Sequence, residues 1–256
     1  MLLSFIQRSL IMQQKIPKII HYCWFGKKEK PKIVKKCIKS WENVLNEYEI
    51  IEWNEDSFDI DSNKFVRQAY DAGKFAFVSD YVRVYALYNY GGIYMDTDVE
   101  VYKLFSEEIL KNESFWGFEE KNYIATSTIG AKKDNSLIKS FLESYDDKNF
   151  IKNNGEFDTL TNVAIVTEMI KGLGVNLDGS YQEVKGVATI YPQEYFSPYD
   201  YINCYSKKTK TTYTEHHFYK SWLPFKERAK GNCKKVIAKI IGGYRVAKIR
   251  EMIIRG

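Results

Sequence analysis

An α/β domain followed by a basic helical tail is the fold class that this sequence predicts. Three observations lead to it. Strand-like and helix-like stretches alternate through the first half. No run approaches the ~20 apolar residues that span a bilayer. The charge balance changes sign near residue 225. Hydrophobic side chains make up 45% of the 256 residues and charged ones 28%, which excludes collagen-like, low-complexity and wholly disordered classes. Residues 226–256 hold ten basic and two acidic residues, a local +8, so the other 225 residues carry −3 within a total of +5. One domain over 1–225, with 1–15 as an N-terminal extension, and a tail over 226–256 is the expected organisation.

Each element follows from its pattern. Ile16–Trp24 is a short apolar run opened by a proline and reads as the first buried strand. Pro31–Leu45 places apolar residues at helical spacing among lysines, and Tyr48–Trp53 reads as a second strand. Residues 62–72 and 74–90 read as helices, the latter stopped by Gly91-Gly92. Ile93–Met95 is then a brief strand running into Asp96-Thr97-Asp98, and Val99–Tyr102 is extended again. Phe115–Phe118, Ile124–Gly130 and Val187–Tyr191 read as further strands, with Leu137–Tyr145 and Leu160–Ile170 as helices.

Four cysteines (Cys23, Cys37, Cys204, Cys233) show neither a CxxC pair nor metal-like spacing and read as reduced thiols of a cytoplasmic protein. The start MLLSFIQRSLIMQQ is broken by Gln7 and Arg8 and lacks a small-residue cleavage site, so export is not expected; Met12 stands as an alternative start. Aromatics reach 16%, with 20 Tyr, 15 Phe and 5 Trp. Such rings fill cores, and Tyr and Trp also line sites for bases and sugars.

Ser79–Tyr102 (SDYVRVYALYNYGGIYMDTDVEVY) is the most informative stretch. Two aspartates one residue apart, where an apolar strand ends, can converge on one cation at the mouth of a sheet. Hard oxygen ligands of this sort suit Mg²⁺ or Mn²⁺. Upstream, Asp80 and Arg83 share a helical face at i, i+3. A bare Asp-x-Asp is common by chance; the strand, the Gly-Gly and the Asp80–Arg83 pair make the combination specific.

DYVRVYALYNYGGIYMDTDV, together with IPKIIHYCWFG near the start, resembles the DXD glycosyltransferases of family 32. The resemblance covers about residues 16–135 and recurs at His216–Trp222. It implies a GT-A-type fold with a central, mostly parallel sheet. It further implies a nucleotide-diphosphate sugar donor such as a UDP- or GDP-sugar, a divalent cation (Mn²⁺ or Mg²⁺) and retention at the anomeric carbon. Carried over by position, Asp96 and Asp98 hold the metal and the donor's ribose and phosphates. Asp80 and Arg83 hydrogen-bond the transferred sugar, and Trp24 flanks the nucleobase. In Thr214–Trp222 the resemblance aligns His216 best as a further metal ligand, with His217 second. Alternation along a strand end allows only one of them to face the site. Ser221 and Trp222 would close over the diphosphate and exclude water. Asp158, Thr161 and Asn162 are candidates for reaching the donor's far face, and no residue announces itself as a nucleophile or base.

Two other classes remain open. A phosphotransferase or phosphatase would use Asp96 as nucleophile and Asp98 as acid/base, with Lys132 or Lys133 in support. A non-catalytic carbohydrate-binding protein would hold Ca²⁺ on the aspartates. In the tail, Val236, Ile237, Ile240, Ile241, Tyr244, Val246, Ile249, Ile253 and Ile254 approximate one helical face among the positive charges, interrupted by Gly242-Gly243. That pattern predicts peripheral contact with an anionic membrane, suited to a lipid-linked oligosaccharide acceptor, and no nucleic-acid partner.

Overall fold

The structure, a computed structural model, describes residues 15–120, 123–219, 236, 238 and 240–255. Most of the N-terminal extension lies outside the described residues, as do Ser221, Trp222 and Cys233. Seven strands build the central sheet: β1 (Ile19–Cys23), β2 (Glu49–Trp53), β3 (Gly92–Met95), β5 (Ser114–Glu120), β6 (Tyr123–Ala131), β7 (Gln182–Val184) and β8 (Ala188–Tyr191), in the order β2-β1-β3-β6-β5-β8-β7. β1 runs parallel to β2 and β3, and β5 parallel to β8, whereas β6 and β7 oppose their neighbours. Five of the seven strands therefore share one direction, and the expected α/β sheet is present.

Helix α1 (Lys32–Val44) joins β1 to β2, and α2 (Lys64–Asp71) with α3 (Phe75–Tyr90) joins β2 to β3. The later helices are α4 (Glu107–Leu110), α5 (Ser136–Glu143), α6 (Asn162–Gly172), α7 (Gln193–Phe196) and α8 (Gly243–Arg255). Polar side chains set several starts: Asn63 accepts from the Val66 amide to cap α2, Asn135 caps α5, and Thr161 accepts from the Ala164 amide to cap α6. The last of these explains why α6 begins at Asn162 and not at the predicted Leu160. β4 (Val99–Val101) falls in the expected extended stretch and pairs antiparallel outside the main sheet with β11 (Thr214–His216); the sequence gives no periodic signal for β11 or for the two-residue pair β9 (Tyr199–Asp200) and β10 (Tyr205–Ser206). Strands this short lack the length that shows a period of two. Among the described residues no helix is long and apolar enough to cross a membrane.

Strand alternation divides the core between the two sheet faces. Tyr94, Trp116 and Phe118 pack with α2, α3, α5 and α6 on one side, joined by Trp53, Val82 and Ile138. Their neighbours Ile93, Met95 and Phe115 pack on the other side with Trp41 of α1 and Phe196 of α7. Most of the aromatic excess serves this packing. Tyr85 of α3 meets Trp53 and Phe58 edge-on at 5.9 and 5.2 Å between ring centres, and Phe105 stacks on Tyr213 at 5.7 Å.

His21 sits fully buried in β1 with both ring nitrogens engaged: Trp53 Nε1 donates to Nδ1 at 3.2 Å, and Nε2 lies 2.8 Å from the Gly91 carbonyl oxygen. An indole N–H can only donate and a carbonyl can only accept, so the ring is neutral with its proton on Nε2. Burial, offset in part by the Gly91 carbonyl, lowers its pKa to about 4. The unfolded chain therefore binds the extra proton between pH ~6.5 and ~4, and stability falls as pH drops through that window, by on the order of 3 kcal/mol in total. In urea unfolding between pH 7.5 and 4.5, wild type is expected to lose this increment relative to His21→Gln; parallel curves for the two would refute the assignment.

Gly92 joins α3 to β3 at φ +106°, where a Cβ would stand 2.6 Å from the Ile19 carbonyl oxygen and 3.2 Å from His21 Nε2. Backbone cannot retreat from that contact without breaking the β1–β3 pairing. Gly92→Ala is expected to cost about 2–4 kcal/mol, read as a lower urea midpoint.

Candidate active site

Strand order creates the site before any side chain is considered. From β1 the chain crosses by α1 to β2 on one side of β1, then returns by α2 and α3 over the opposite face to β3 on its other side. The winding direction thus reverses between β1 and β3, and the crevice beyond their carboxyl ends is where open α/β sheets bind ligands. Trp24 follows β1 and Asp96 follows β3 at that edge. The Asp96 amide still donates to the Ser127 carbonyl at 2.9 Å, and the Val99 amide closes a tight turn onto the Asp96 carbonyl at 2.9 Å. That turn brings Asp96 and Asp98 to one mouth. β11 then lies along β4 with His216 opposite Val99.

Asp96, Asp98 and His216 each offer a ligand atom, all within 4.8 Å of one another. His216 Nε2 is 3.4 Å from Asp98 Oδ1, and the Tyr219 amide donates to Asp98 Oδ2 at 2.7 Å. Burial alone would raise the Asp98 carboxyl, but the His216 charge and these hydrogen bonds overcome it and hold the pKa down at about 2. Burial would likewise suppress the His216 charge, yet Asp98 and then Asp96 raise its pKa to about 9. His216 Nδ1 is buried with no hydrogen-bond partner among the described residues. Its ring packs on Phe218 at 4.0 Å between centres. His217 points the other way, as alternation requires, with Nε2 2.8 Å from Glu100 Oε2.

Arg83 ties the helix to the strands. Its Nη2 lies 3.0 Å from Asp80 Oδ1 and 3.3 Å from Asp96 Oδ1. Nη1 donates to the Thr126 carbonyl at 2.9 Å and Nε to the Ser79 carbonyl at 3.2 Å. The guanidinium stands 4.5 Å from the Tyr94 ring centre, and Tyr94 donates its hydroxyl proton to Asp96 Oδ1 at 2.9 Å. Burial opposes the arginine's charge, but Asp96, Tyr94 and Asp80 outweigh it and keep the group protonated. Burial and the neighbouring Asp96 raise Asp80 to about 6, against the pull of Arg83 and Lys148. Asp80 and Arg83 are thus an internal pair, not a solvated i, i+3 bridge.

Of the three far-face candidates, Asn162 donates to the Asp80 carbonyl at 2.8 Å and accepts from the Tyr145 hydroxyl at 2.5 Å, so it fixes the α3 backbone. Thr161 caps α6, and Asp158 pairs with Lys148 at 3.4 Å. Trp24 is half-buried, donates Nε1 to the Lys28 carbonyl at 2.6 Å, and lines a cleft of about 310 Å³ with Lys27, Lys30, Glu52, Asn54 and Asp56. Lys132 and Lys133 lie at the opposite end of the strands from Asp96, because the register sets Ala131 against Gly92 and Thr128 against Met95; Lys132 pairs with Glu113. The sequence reading overlooked Tyr94 and Thr126. Tyr94 was recoverable, since residues two apart on a strand share a face, whereas Thr126 reaches Arg83 only through the β3–β6 pairing.

Comparison with known proteins adds the following. The sequence matches the family model for "Capsular polysaccharide synthesis protein" over residues 2–165. No curated protein gives a match. Among solved structures, similarity is found to the "PaToxG Glycosyltransferase" (19% identity, 67% of this chain and 77% of that one, TM-score 0.43). It is also found to a structure titled "glycosyltransferase involved in the glycosylation of the major capsid of PBCV-1" (13% identity, 84% of this chain and 98% of that one, TM-score 0.45). The family match runs from the N-terminal segment through β1, α3 and the Asp96–Asp98 turn and spans well over half of the sequence, so the chain belongs to the capsular polysaccharide synthesis protein family.

Proposed function

We propose that this protein is a metal-dependent, retaining glycosyltransferase of GT-A type that moves a hexose from a UDP- or GDP-sugar to a saccharide acceptor in surface polysaccharide synthesis. The observation that carries this reading is the Asp96–Asp98–His216 cluster at the switch point between β1 and β3. Two carboxylates and an imidazole form a donor set suited to Mn²⁺ and less so to Mg²⁺. Nδ1 of His216, buried and without a partner among the described residues, and the 3.4 Å gap from Nε2 to Asp98 fit a site built for a further group. Asp96, Asp98 and His216, the imidazole giving up its proton to solvent, would hold the ion, whose charge would stabilise a departing diphosphate.

The chain's own groups divide the remaining work. Arg83 spends donors on Ser79, Thr126, Asp80 and Asp96, so in this reading it clamps the two aspartates in place. Asp80, with its carboxylate 17% exposed, is then the group that receives hydroxyls of the transferred sugar. Asn162 and Tyr145 keep its backbone in register. Trp24 flanks the base at the mouth of its cleft, whose three lysines are balanced by Glu52, Glu55 and Asp56, with Lys30 paired to Glu52 at 2.8 Å. A cytoplasmic enzyme with a lipid-linked acceptor completes the proposal.

Thermal-shift measurements with Mn²⁺ and UDP or GDP test it directly. At about a hundred times Kd the expected stabilisation is ~2.7 kcal/mol, or roughly 5–10 °C for a chain of this size. The shift should require metal and vanish in Asp98→Ala; no shift with any nucleotide diphosphate would exclude the reading. Arg83→Ala should cost about 3–5 kcal/mol of stability, because it strands Asp80 and Asp96 without their counter-charge. Arg83→Lys should recover only part of this, since an ammonium cannot reach Ser79, Thr126 and both carboxylates at once. Chemical denaturation of the three proteins reads both outcomes.

A further inference from the structure

The second half of the tail departs from the usual rule for an amphipathic helix. α8 docks through small residues: Gly243 is buried so closely against Asn203 and Tyr205 that a Cβ would meet the Tyr205 Cβ at 2.6 Å and the Asn203 carbonyl at 2.8 Å. Ala247, one turn on, is buried at 9% exposure, and Ala238 upstream at 3%. Among the described residues, five large apolar side chains stand outward beside this contact. Val236, Ile240, Ile241, Tyr244 and Met252 stand 45–79% exposed. Arg245 and Lys248 are exposed among them, Lys248 with its ammonium 5.0 Å from the Tyr244 ring centre. A helix serving only to cover the domain would bury its isoleucines and present its lysines. Among the described residues the domain takes Ala238, Gly243 and Ala247, while Ile240 and Ile241 stand in solvent beside Arg245 and Lys248.

We infer that this outward face is a docking surface for an anionic lipid bilayer. Apolar side chains ringed by Lys and Arg, with a Tyr beside them, have the composition of a segment that lies in the headgroup region. Charge decides between occupants. Residues 226–256 carry +8, which an anionic surface attracts and a second copy of the same tail repels. Nucleic acid would match the charge and leave five exposed apolar side chains without a partner. The surface also lies close to the candidate site. The 199–206 hairpin that receives Gly243 carries Tyr201, whose ring packs on Phe218 at 4.7 Å, and Phe218 packs in turn on His216. The membrane plane would therefore sit a few side chains from the mouth that holds Asp96 and Asp98.

The inference stands independently of the catalytic reading and is tested on the full chain by co-sedimentation with vesicles. Vesicles of equal phosphatidylglycerol and phosphatidylcholine should pull the protein down, and vesicles of phosphatidylcholine alone should bind it at least tenfold less. Ile240→Ser combined with Tyr244→Ser and Met252→Ser should lower partitioning at least tenfold at every salt concentration. Arg245→Glu with Lys248→Glu should abolish the preference for the anionic lipid. All five side chains are exposed, so the melting temperature should hold within about 2 °C. Failure of the wild type to sediment with phosphatidylglycerol vesicles, or sedimentation of both variants equal to that of the wild type, would overturn the inference. So would a dimer in light scattering that the triple serine variant abolishes while vesicle binding persists unchanged.

Discussion

One buried cation organises the middle of this molecule. Arg83 is nearly sealed from solvent, and an arginine cannot shed its charge to escape that position. It must be surrounded by acceptors, and the surroundings define the architecture. Asp80 and the Ser79 carbonyl come from α3, Asp96 from the end of β3, the Thr126 carbonyl from β6 and the Tyr94 ring from β3. A helix and two antiparallel strands are pinned at a single guanidinium. The geometry of the Asp96–Asp98 turn follows from that pin, because Asp96 is held by Arg83 and Tyr94 before any ligand is considered.

The charge ledger of the site is deliberately uneven. Asp80, Asp96 and Asp98 bring three carboxylates, while Arg83 and a protonated His216 bring two positive charges. The two cations work at different ends: Arg83 restrains the aspartates nearest the helix, and His216 restrains the one nearest β11. The residual negative charge stands at the carboxyl ends of parallel strands, beside a cleft whose lysines and acids balance.

How much of this could be read from the residues depended on distance along the chain. Asp80, Arg83, Asp96 and Asp98 fall within nineteen positions on one helix–turn–strand unit; the periods set Asp80 beside Arg83 and Asp96 near Asp98, and the family 32 resemblance joined the two pairs. The α/β alternation was legible for the same reason, since each long element carries its own pattern. Non-local partners were not. Nothing in the sequence announces that β4 pairs with β11, that Thr126 caps Arg83, or that Asn162 would be spent on the Asp80 backbone and not on a ligand. The choice between His216 and His217 was open on spacing, and only the register of β11 against β4 turns one toward Asp98 and the other toward Glu100.

That register also gives the site a history. Asp96 and Asp98 lie on a unit closed by neighbouring residues, but His216 joins them only after another 118 residues of chain. At ~5–20 residues per second of synthesis, the acidic half stands for on the order of ten seconds without its histidine. Its early companion is Arg83, from the same local unit, which shields Asp96 and leaves Asp98 to wait. The cluster is complete only once β11 has been synthesised and pairs with β4. Short as it is, at three residues, β11 is the element on which the timing of the site turns.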